Sequence, residues 1–194
     1  MADVLHFDPE TALDDMLKVF WQQGFKATTT RELAESAGLS EGSLFNTFGS
    51  KRDLYTTCLQ RYTESAHKLR SLLEKEDFVL EGIRDYWMFI CKYAANPNSK
   101  GCMITNASIE HANDEDFIAQ IKKLHQKSER TLKKALDRAV ANGELSDHID
   151  TTAIAQFLFH STQGIRVMGR LSPSKEKMNN IADVTLSVLD QYRI

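Results

Sequence analysis

The sequence TTRELAESAGLSEGSLFNTFGSK occupies residues 29–51 and decides the fold of the N-terminal region. Thr29 and Glu32 have the spacing of a capping box, which starts a short helix. Gly38 can adopt the positive φ that ends this helix, and Ser40 can cap the next one. Two short helices joined by such a turn are typical of a helix-turn-helix, whose second helix lies in the major groove of DNA.

The second helix of this unit carries most of the candidate DNA contacts. Gly42 permits close approach of the backbone, and Asn46 can bind a base edge or a phosphate. Lys51, in the first turn of the following helix, adds a positive charge. The candidates are Ser40, Glu41, Gly42, Ser43, Phe45, Asn46, Thr47 and Lys51. From spacing alone, a compact three-helix packing without DNA binding fits these residues equally well.

Outward from this stretch, apolar residues recur at helical spacing along nearly the whole chain. Asp8 and Pro9 start a first helix that Gly24 ends, and Ser50 starts a long helix that extends to Leu73. Five further helices are predicted at about 83–94, 102–111, 114–141, 151–170 and 175–192. The sequence therefore predicts an all-α fold of about nine helices. A three-helix helix-turn-helix domain spans residues 1–50, and a second helical domain spans residues 51–194.

Composition excludes several classes of protein. The 194 residues have a formal net charge of −3, which argues against a basic surface that coats nucleic acid. Residues 1–54 hold five Lys/Arg against nine Asp/Glu, a difference of −4, so a helical interaction module without DNA binding stays an alternative. Three cysteines without CxxC spacing and six histidines without i, i+4 pairs predict no disulfide and no metal or other cofactor.

The chain shows no targeting or membrane signal. The residues from Met1 to Asp8 show neither the basic segment nor the apolar segment of a signal peptide, and no run of eighteen apolar residues occurs. We therefore expect a cytoplasmic protein. The two last predicted helices carry apolar residues on more than one face, which predicts a homodimer formed through them.

The residues from Phe20 to Lys51 closely resemble part of the N-terminal domain of the TetR (tetracycline-repressor-like) family, and the whole match covers about fifty residues in register. The segments Gly101–Glu110 and Gln163–Met168 resemble an AcrR-like subset of that family. The resemblance implies a homodimer on a roughly palindromic operator and a C-terminal domain with a ligand pocket and the dimer interface. It places DNA contacts at Thr30, Arg31, Ser43, Phe45, Asn46, Thr47 and Lys51.

Two positions depart from the family pattern. Many members have Tyr where this chain has Phe45, so a hydroxyl that binds phosphate is missing. Many have a basic residue or Pro where this chain has Glu41. These departures imply weaker phosphate anchoring, or a base-reading role in which Glu41 accepts a hydrogen bond from a cytosine amine.

The resemblance also places a ligand pocket between the fourth helix and the helices of residues 80–170. The pocket candidates are Trp87, Ile90, Cys91, Cys102, Asn106, Phe117, Ile121, His160 and Gln163. Cys102 is the candidate with the most specific chemical role, because it follows Gly101 near a helix start, where backbone N–H groups stabilise a thiolate. It is a candidate sensor of electrophiles or oxidants; a buried, inert thiol is the alternative.

Three classes of function follow. The first is a ligand-responsive repressor, in which a small-molecule effector moves the fourth helix. The distance between the two recognition helices then no longer matches one helical turn of DNA. The second is an enzyme that uses Cys102 with His111 or His160. No nucleophile elbow, phosphate loop or carboxylate pair supports an enzyme, so we expect none. The third is the interaction module described above.

Overall fold

The computed structural model describes residues 7–194, except for the side chain of Lys68; the Met1–His6 part of the leader prediction lies outside it. Within the described residues the chain forms ten α-helices and two 3-10 segments, and its one β-type contact is an isolated bridge between Leu145 and Arg193. The predicted all-α fold is confirmed. The helices are α1 (Pro9–Gln23), α2 (Thr30–Ser36), α3 (Glu41–Phe48), α4 (Lys51–Ser65), α5 (His67–Ser71), α6 (Val79–Ala94), α7 (Met103–Glu110), α8 (Glu115–Ala141), α9 (Thr151–Leu171) and α10 (Lys175–Leu186).

The N-terminal helices begin and end where their capping residues predict. The Asp8 carboxylate accepts hydrogen bonds from the N–H groups of Glu10 and Thr11 at the start of α1. Thr29 and Glu32 form the predicted reciprocal box at the start of α2. Gly38, in the turn between α2 and α3, has a φ of +67°. Local side-chain chemistry therefore fixes the helix-turn-helix unit.

The prediction that two of the long helices are continuous is wrong. The helix predicted from Ser50 to Leu73 breaks at Ala66, so that α4, α5 and a 3-10 turn replace it. The guanidinium of Arg70 donates to the Thr63 and Glu64 carbonyls in the last turn of α4, where helix ends leave carbonyl groups in need of partners. The last helix likewise tightens to 3-10 geometry after Leu186.

Two apolar cores stabilise the fold. The first contains residues of the four helices α1, α2, α3 and α4, together with α7 and the start of α8. Met103, Ala107 and Phe117 are buried in this core beside the helix-turn-helix. The second lies among α6, α8, α9 and α10. The first core thus includes residues on both sides of position 50, and the division at that position stays a prediction.

The helices of the second core pack closely where small residues meet. A Cβ placed on Gly169 of α9 would lie 2.7 Å from the Cβ and the carbonyl oxygen of Ala94 on α6. Glycine at this position therefore allows the two backbones to approach. None of the helices described in residues 7–194 combines the length and the apolar content that crossing a membrane requires.

Candidate functional site

The surface of α3 has the composition expected of a DNA-reading helix. Leu44 is fully buried and anchors the helix to the first core. Around it, Ser40, Glu41, Gly42, Ser43, Phe45, Asn46 and Thr47 are all exposed. Phe45 presents 41% of its surface to solvent. The structure thus places these candidates on one accessible face.

Some polar side chains on and beside α3 form hydrogen bonds within the chain, and others do not. The Ser40 hydroxyl accepts from the Ser43 N–H at 3.1 Å and pairs with the Ser43 hydroxyl at 2.9 Å. Ser40 is thus the N-cap and positions Ser43. The side chains of Asn46 and Thr47 make no hydrogen bond within the described chain, so their donors and acceptors are available to a partner.

Three further candidates contact other residues. The Thr30 hydroxyl donates to the Glu41 carboxylate at 2.5 Å, which links α2 to the start of α3. Arg31 pairs with Glu35 one turn later, with Nε 2.8 Å from the carboxylate oxygen. Lys51 lies with its Nζ 4.4 Å from the centroid of the Phe25 ring. Both cations are therefore near the reading helix and carry intramolecular partners.

Many acidic residues of the N-terminal region serve helix caps and internal ion pairs. Hydrogen bonds lower the pKa of Asp8, Glu32 and Asp53, which all cap helices. Arg61 of α4 binds Asp14 and Glu10 of α1, each at 2.8 Å. The charge difference of −4 therefore does not describe the face of α3, where Glu41 is the one acid among the exposed candidates.

A small cavity of about 100 Å³ lies inside the C-terminal domain. Leu69, Leu73, Leu124 and Phe159 supply apolar walls. Polar atoms come from four helices and the N-cap of α7, through Tyr62, Tyr86, Cys102, His125, Gln163 and Arg166. Apolar walls with a few convergent polar groups are a feature that this cavity shares with small-molecule sites.

The structure brings only two predicted pocket residues, Cys102 and Gln163, into this cavity. Ile90, Cys91 and Asn106 each line a separate surface depression. Trp87 is fully buried in the second core, and Phe117 and Ile121 are buried in the first. His160 is exposed on α9, where its Nδ1 lies 2.8 Å from the Gln156 carbonyl oxygen. The predicted set as a whole stays a prediction, although seven of its members lie away from this cavity.

Cys102 differs electrostatically from the other two cysteines. Burial raises the pKa of Cys58 to about 12 and that of Cys91 to about 11. Burial also acts to raise the pKa of Cys102, but the Arg166 cation and hydrogen bonds from Thr105 and Tyr62 outweigh it and lower this pKa. Cys102 is 5% exposed and lines the cavity.

Sequence reasoning missed the cation of this site. Arg166 lies within the Gln163–Met168 segment but was not among the predicted pocket residues, and Tyr62, Tyr86 and His125 were also absent from the prediction. A lone arginine among apolar residues of a helix is the signal that could have found the site, because a partly buried cation needs a partner.

Contacts from α7 and the start of α8 connect the cavity to the helix-turn-helix. Thr105, in the first turn of α7, donates to the Gln163 side chain at 2.6 Å. Glu110, at the opposite end of α7, accepts from the backbone N–H groups of Phe25 and Lys26 at 2.8 and 2.5 Å. Nearby, Arg52 of α4 forms a bidentate pair with Asp114. A displacement of α7 therefore acts directly on the loop before α2.

The outer face of α9 is an exposed stripe of small and apolar residues. Its members recur at spacings of three or four, which places them on one side of the helix. They are Ala153, Phe157, His160, Gly164, Met168 and Leu171. Val184 on α10 is 76% exposed. Contiguous apolar surface of this kind marks a protein interaction site.

An exposed polar helix in a helix-turn-helix, joined to a helical domain with an enclosed cavity, defines the class of helix-turn-helix DNA-binding regulators. The family model of bacterial regulatory proteins, tetR family, matches residues 13–58, and the model of the tetracyclin repressor-like C-terminal domain matches residues 79–184. The chain belongs to the TetR family of transcriptional regulators.

Individual relatives agree with this assignment. The HTH-type transcriptional repressor ComR of Escherichia coli strain K12 is 33% identical over 184 residues, which cover 93% of this chain and 88% of that protein. The uncharacterized HTH-type transcriptional regulator YezE of Bacillus subtilis strain 168 is 29% identical over 191 residues, covering 95% of this chain and 97% of that protein.

Solved structures share the fold at low identity. A triple-cysteine variant of the TetR-family regulator CifR, complexed with 26-base-pair operator DNA, superposes with a TM-score of 0.86 at 21% identity, covering 97% of this chain and 100% of that one. The reduced form of Escherichia coli NemR gives a TM-score of 0.78 at 22% identity, covering 90% and 95% of the two chains.

Proposed function

We propose that this protein is a one-component transcriptional repressor that binds a palindromic operator as a homodimer and is released by a small-molecule effector. The exposed face of α3 is the observation that carries the DNA-binding part. Asn46 and Thr47 are free to hydrogen-bond, and Leu44 fixes the helix so that both side chains point away from the core. This arrangement presents donors and acceptors on a rigid element, as base readout requires.

Dimerisation is proposed to use α9 and α10. Packing of the α9 stripe against the same stripe of a second copy would bury Phe157, Met168 and Leu171 around a two-fold axis. Gly164, at the centre of the stripe, has open space where a Cβ would lie, so a partner helix can approach closely there. Two recognition helices related by this axis match the two halves of a palindrome.

Release is proposed to start at the cavity. Tyr62 of α4 and Cys102 at the start of α7 both line it, and these two helices also contact the helix-turn-helix. A ligand that separates them would displace Glu110 and the start of α4, which directly follows α3. The spacing of the two recognition helices then changes, and operator affinity falls without any contact between ligand and DNA.

In vitro selection of duplexes from a random library tests the DNA-binding proposal. We expect the wild type to enrich an inverted repeat whose half-sites lie about one helical turn apart. Asn46→Ala should lower the enrichment at particular base pairs, whereas Asn142→Ala, on the exposed distal end of α8, should leave the selected sequence unchanged. Absence of any enriched sequence would contradict the proposal.

A second candidate function, an electrophile-sensing repressor, is favoured by the lowered pKa of Cys102. In this proposal the Cys102 thiolate forms a C–S bond with the β-carbon of an α,β-unsaturated carbonyl compound, and the resulting enolate takes a proton from water. The bulk of the adduct then occupies the cavity beside Arg166 and displaces α7.

Treatment with N-ethylmaleimide tests this candidate. Loss of operator binding in the wild type but not in Cys102→Ser would support it. Cys91→Ser serves as the matched control, because burial raises the pKa of Cys91 and it lies outside the cavity. An equal loss in the wild type and in Cys102→Ser would contradict it.

A further inference from the structure

Arg166 is a cation without a carboxylate side chain beside it. It lies on α9, is partly buried and faces the cavity. Among residues 7–194 as described, no carboxylate lies within ion-pairing distance of its guanidinium. The groups around it are the phenols of Tyr62 and Tyr86 and the thiol of Cys102. Burial of a cation without a carboxylate partner costs free energy, unless another anion compensates.

The other basic groups at the cavity do not compete for this role. The guanidinium of Arg70 donates to the carbonyls of Thr63 and Glu64 in the last turn of α4. Burial, Arg166 and His160 lower the pKa of His125, so its ring is neutral near pH 7. Of the two guanidinium groups that line the cavity in the described part of the chain, that of Arg166 is the one without a backbone carbonyl partner.

The size and shape of the cavity limit the compound. Its volume of about 100 Å³ is smaller than the roughly 150 Å³ cavity that holds one benzene molecule. Leu69, Leu73 and Phe159 form apolar walls, so the space offers apolar surface as well as polar groups. A compound with one charged end and a short hydrocarbon body matches both features.

We propose that the cavity binds a small monocarboxylate, whose carboxylate pairs with Arg166 and whose alkyl chain lies against the apolar walls. A guanidinium presents paired N–H donors that match the two oxygens of a carboxylate. The phenols of Tyr62 and Tyr86 can donate to the same oxygens, because both hydroxyls stay protonated; burial raises the pKa of each. This inference names the chemical class of the effector, and it rests on the proposed function, in which an effector releases the protein from DNA.

Isothermal titration of the full-length protein with unbranched carboxylates from acetate to hexanoate tests the proposal. Acetate or propanoate should bind and raise the melting temperature of the wild type, while propanamide, which has the shape of propanoate without the charge, should bind at least tenfold more weakly. Arg166→Gln should lose at least tenfold in affinity. The control Arg170→Gln, on the exposed side of α9 one turn later, should bind as the wild type does.

Several outcomes overturn the proposal. It fails if no carboxylate binds, if propanamide binds as tightly as propanoate, or if Arg166→Gln binds unchanged. The amide comparison uses only the wild type, so it decides the question even if Arg166→Gln does not fold. Operator release is measured separately. Carboxylate binding without release would contradict the proposed function alone, whereas release by a different, uncharged compound at this cavity would contradict the carboxylate proposal alone.

Discussion

The carboxylate of Glu110 accepts a hydrogen bond from the backbone N–H of Phe25 at 2.8 Å, across the boundary between α7 and the helix-turn-helix. The second oxygen of the same carboxylate accepts from the N–H of Lys26. These two N–H groups belong to the loop between α1 and α2 and have no helical partner. A side chain on the helix that borders the cavity therefore holds the loop that leads into the DNA-binding unit.

Replacement of Glu110 should weaken this connection. Glu110→Ala removes an ionised acceptor from two backbone donors, and hydrogen bonds to charged groups contribute about 1.5 to 3 kcal/mol each. Because the loop is partly exposed to water, we expect a loss of about 2 kcal/mol in the free energy of unfolding, measured by urea denaturation. Glu64→Ala, at an exposed position on α4, should change it by less than about 0.5 kcal/mol. Equal effects of the two substitutions would contradict the bridging role.

The helix-turn-helix could be predicted from sequence because its signals are local. Ser40, Gly38 and the Thr29–Glu32 pair act within a few residues of themselves, and each acts in the structure as predicted. The break at Ala66 depends on the guanidinium of Arg70 and on tertiary packing, which helical periodicity does not encode. The cavity depends on which side chains meet from five separate segments, so Arg166 and Tyr62 could not be placed together from their positions in the chain.

The ion pair between Arg31 and Glu35 predicts how substitutions at these two positions change operator affinity. Their pair is exposed and has to be broken or shared if Arg31 binds a phosphate. Exposed i, i+4 pairs contribute little to stability, so the pair is easily broken and Glu35→Gln should tighten operator binding about twofold at low salt. Arg31→Ala should weaken binding to all sequences and reduce the slope of log affinity against log salt by about one. Weaker binding by Glu35→Gln, in fluorescence anisotropy titrations, would contradict this view.

Glu41 predicts an effect on specificity. One of its carboxylate oxygens binds the Thr30 hydroxyl, so the other remains available to a cytosine amine. Glu41→Ala should relax discrimination at a single base pair by about 1 to 3 kcal/mol, measured as the affinity for each base at that position. Uniform tightening across all sequences would instead show that Glu41 acts only through repulsion of phosphates.

The exposed stripe on α9 predicts the effect of a charge placed within it. Phe157→Glu would bury one carboxylate from each copy in a two-fold interface, so the protein should become monomeric and lose operator binding. Sedimentation velocity measures the change. Phe89→Glu, which places the same charge at a 52% exposed phenylalanine on α6, should remain dimeric. A dimeric Phe157→Glu would contradict the proposed interface.

His111 predicts part of the dependence of stability on pH. Its buried Nε2 has no hydrogen-bond partner, and burial lowers the pKa of the ring below its usual 6.5, with Lys26 and Arg52 acting in the same direction. Below pH 6.5 the unfolded chain therefore binds more protons, and stability falls as the pH falls through the folded-state pKa. The slope from this residue is at most about 1.4 kcal/mol per pH unit. His111→Phe should flatten the curve from urea denaturation between pH 7 and pH 5; an unchanged slope would exclude this role.

The stoichiometry of the complex with a selected inverted repeat tests the central claim most directly. Native mass spectrometry of the wild type with this duplex should show an even number of chains, two on a site with one pair of half-sites, and no complex on a duplex with one half-site scrambled. A single chain bound with equal affinity to the intact and the half-scrambled duplex would contradict the account of a symmetric pair of recognition helices.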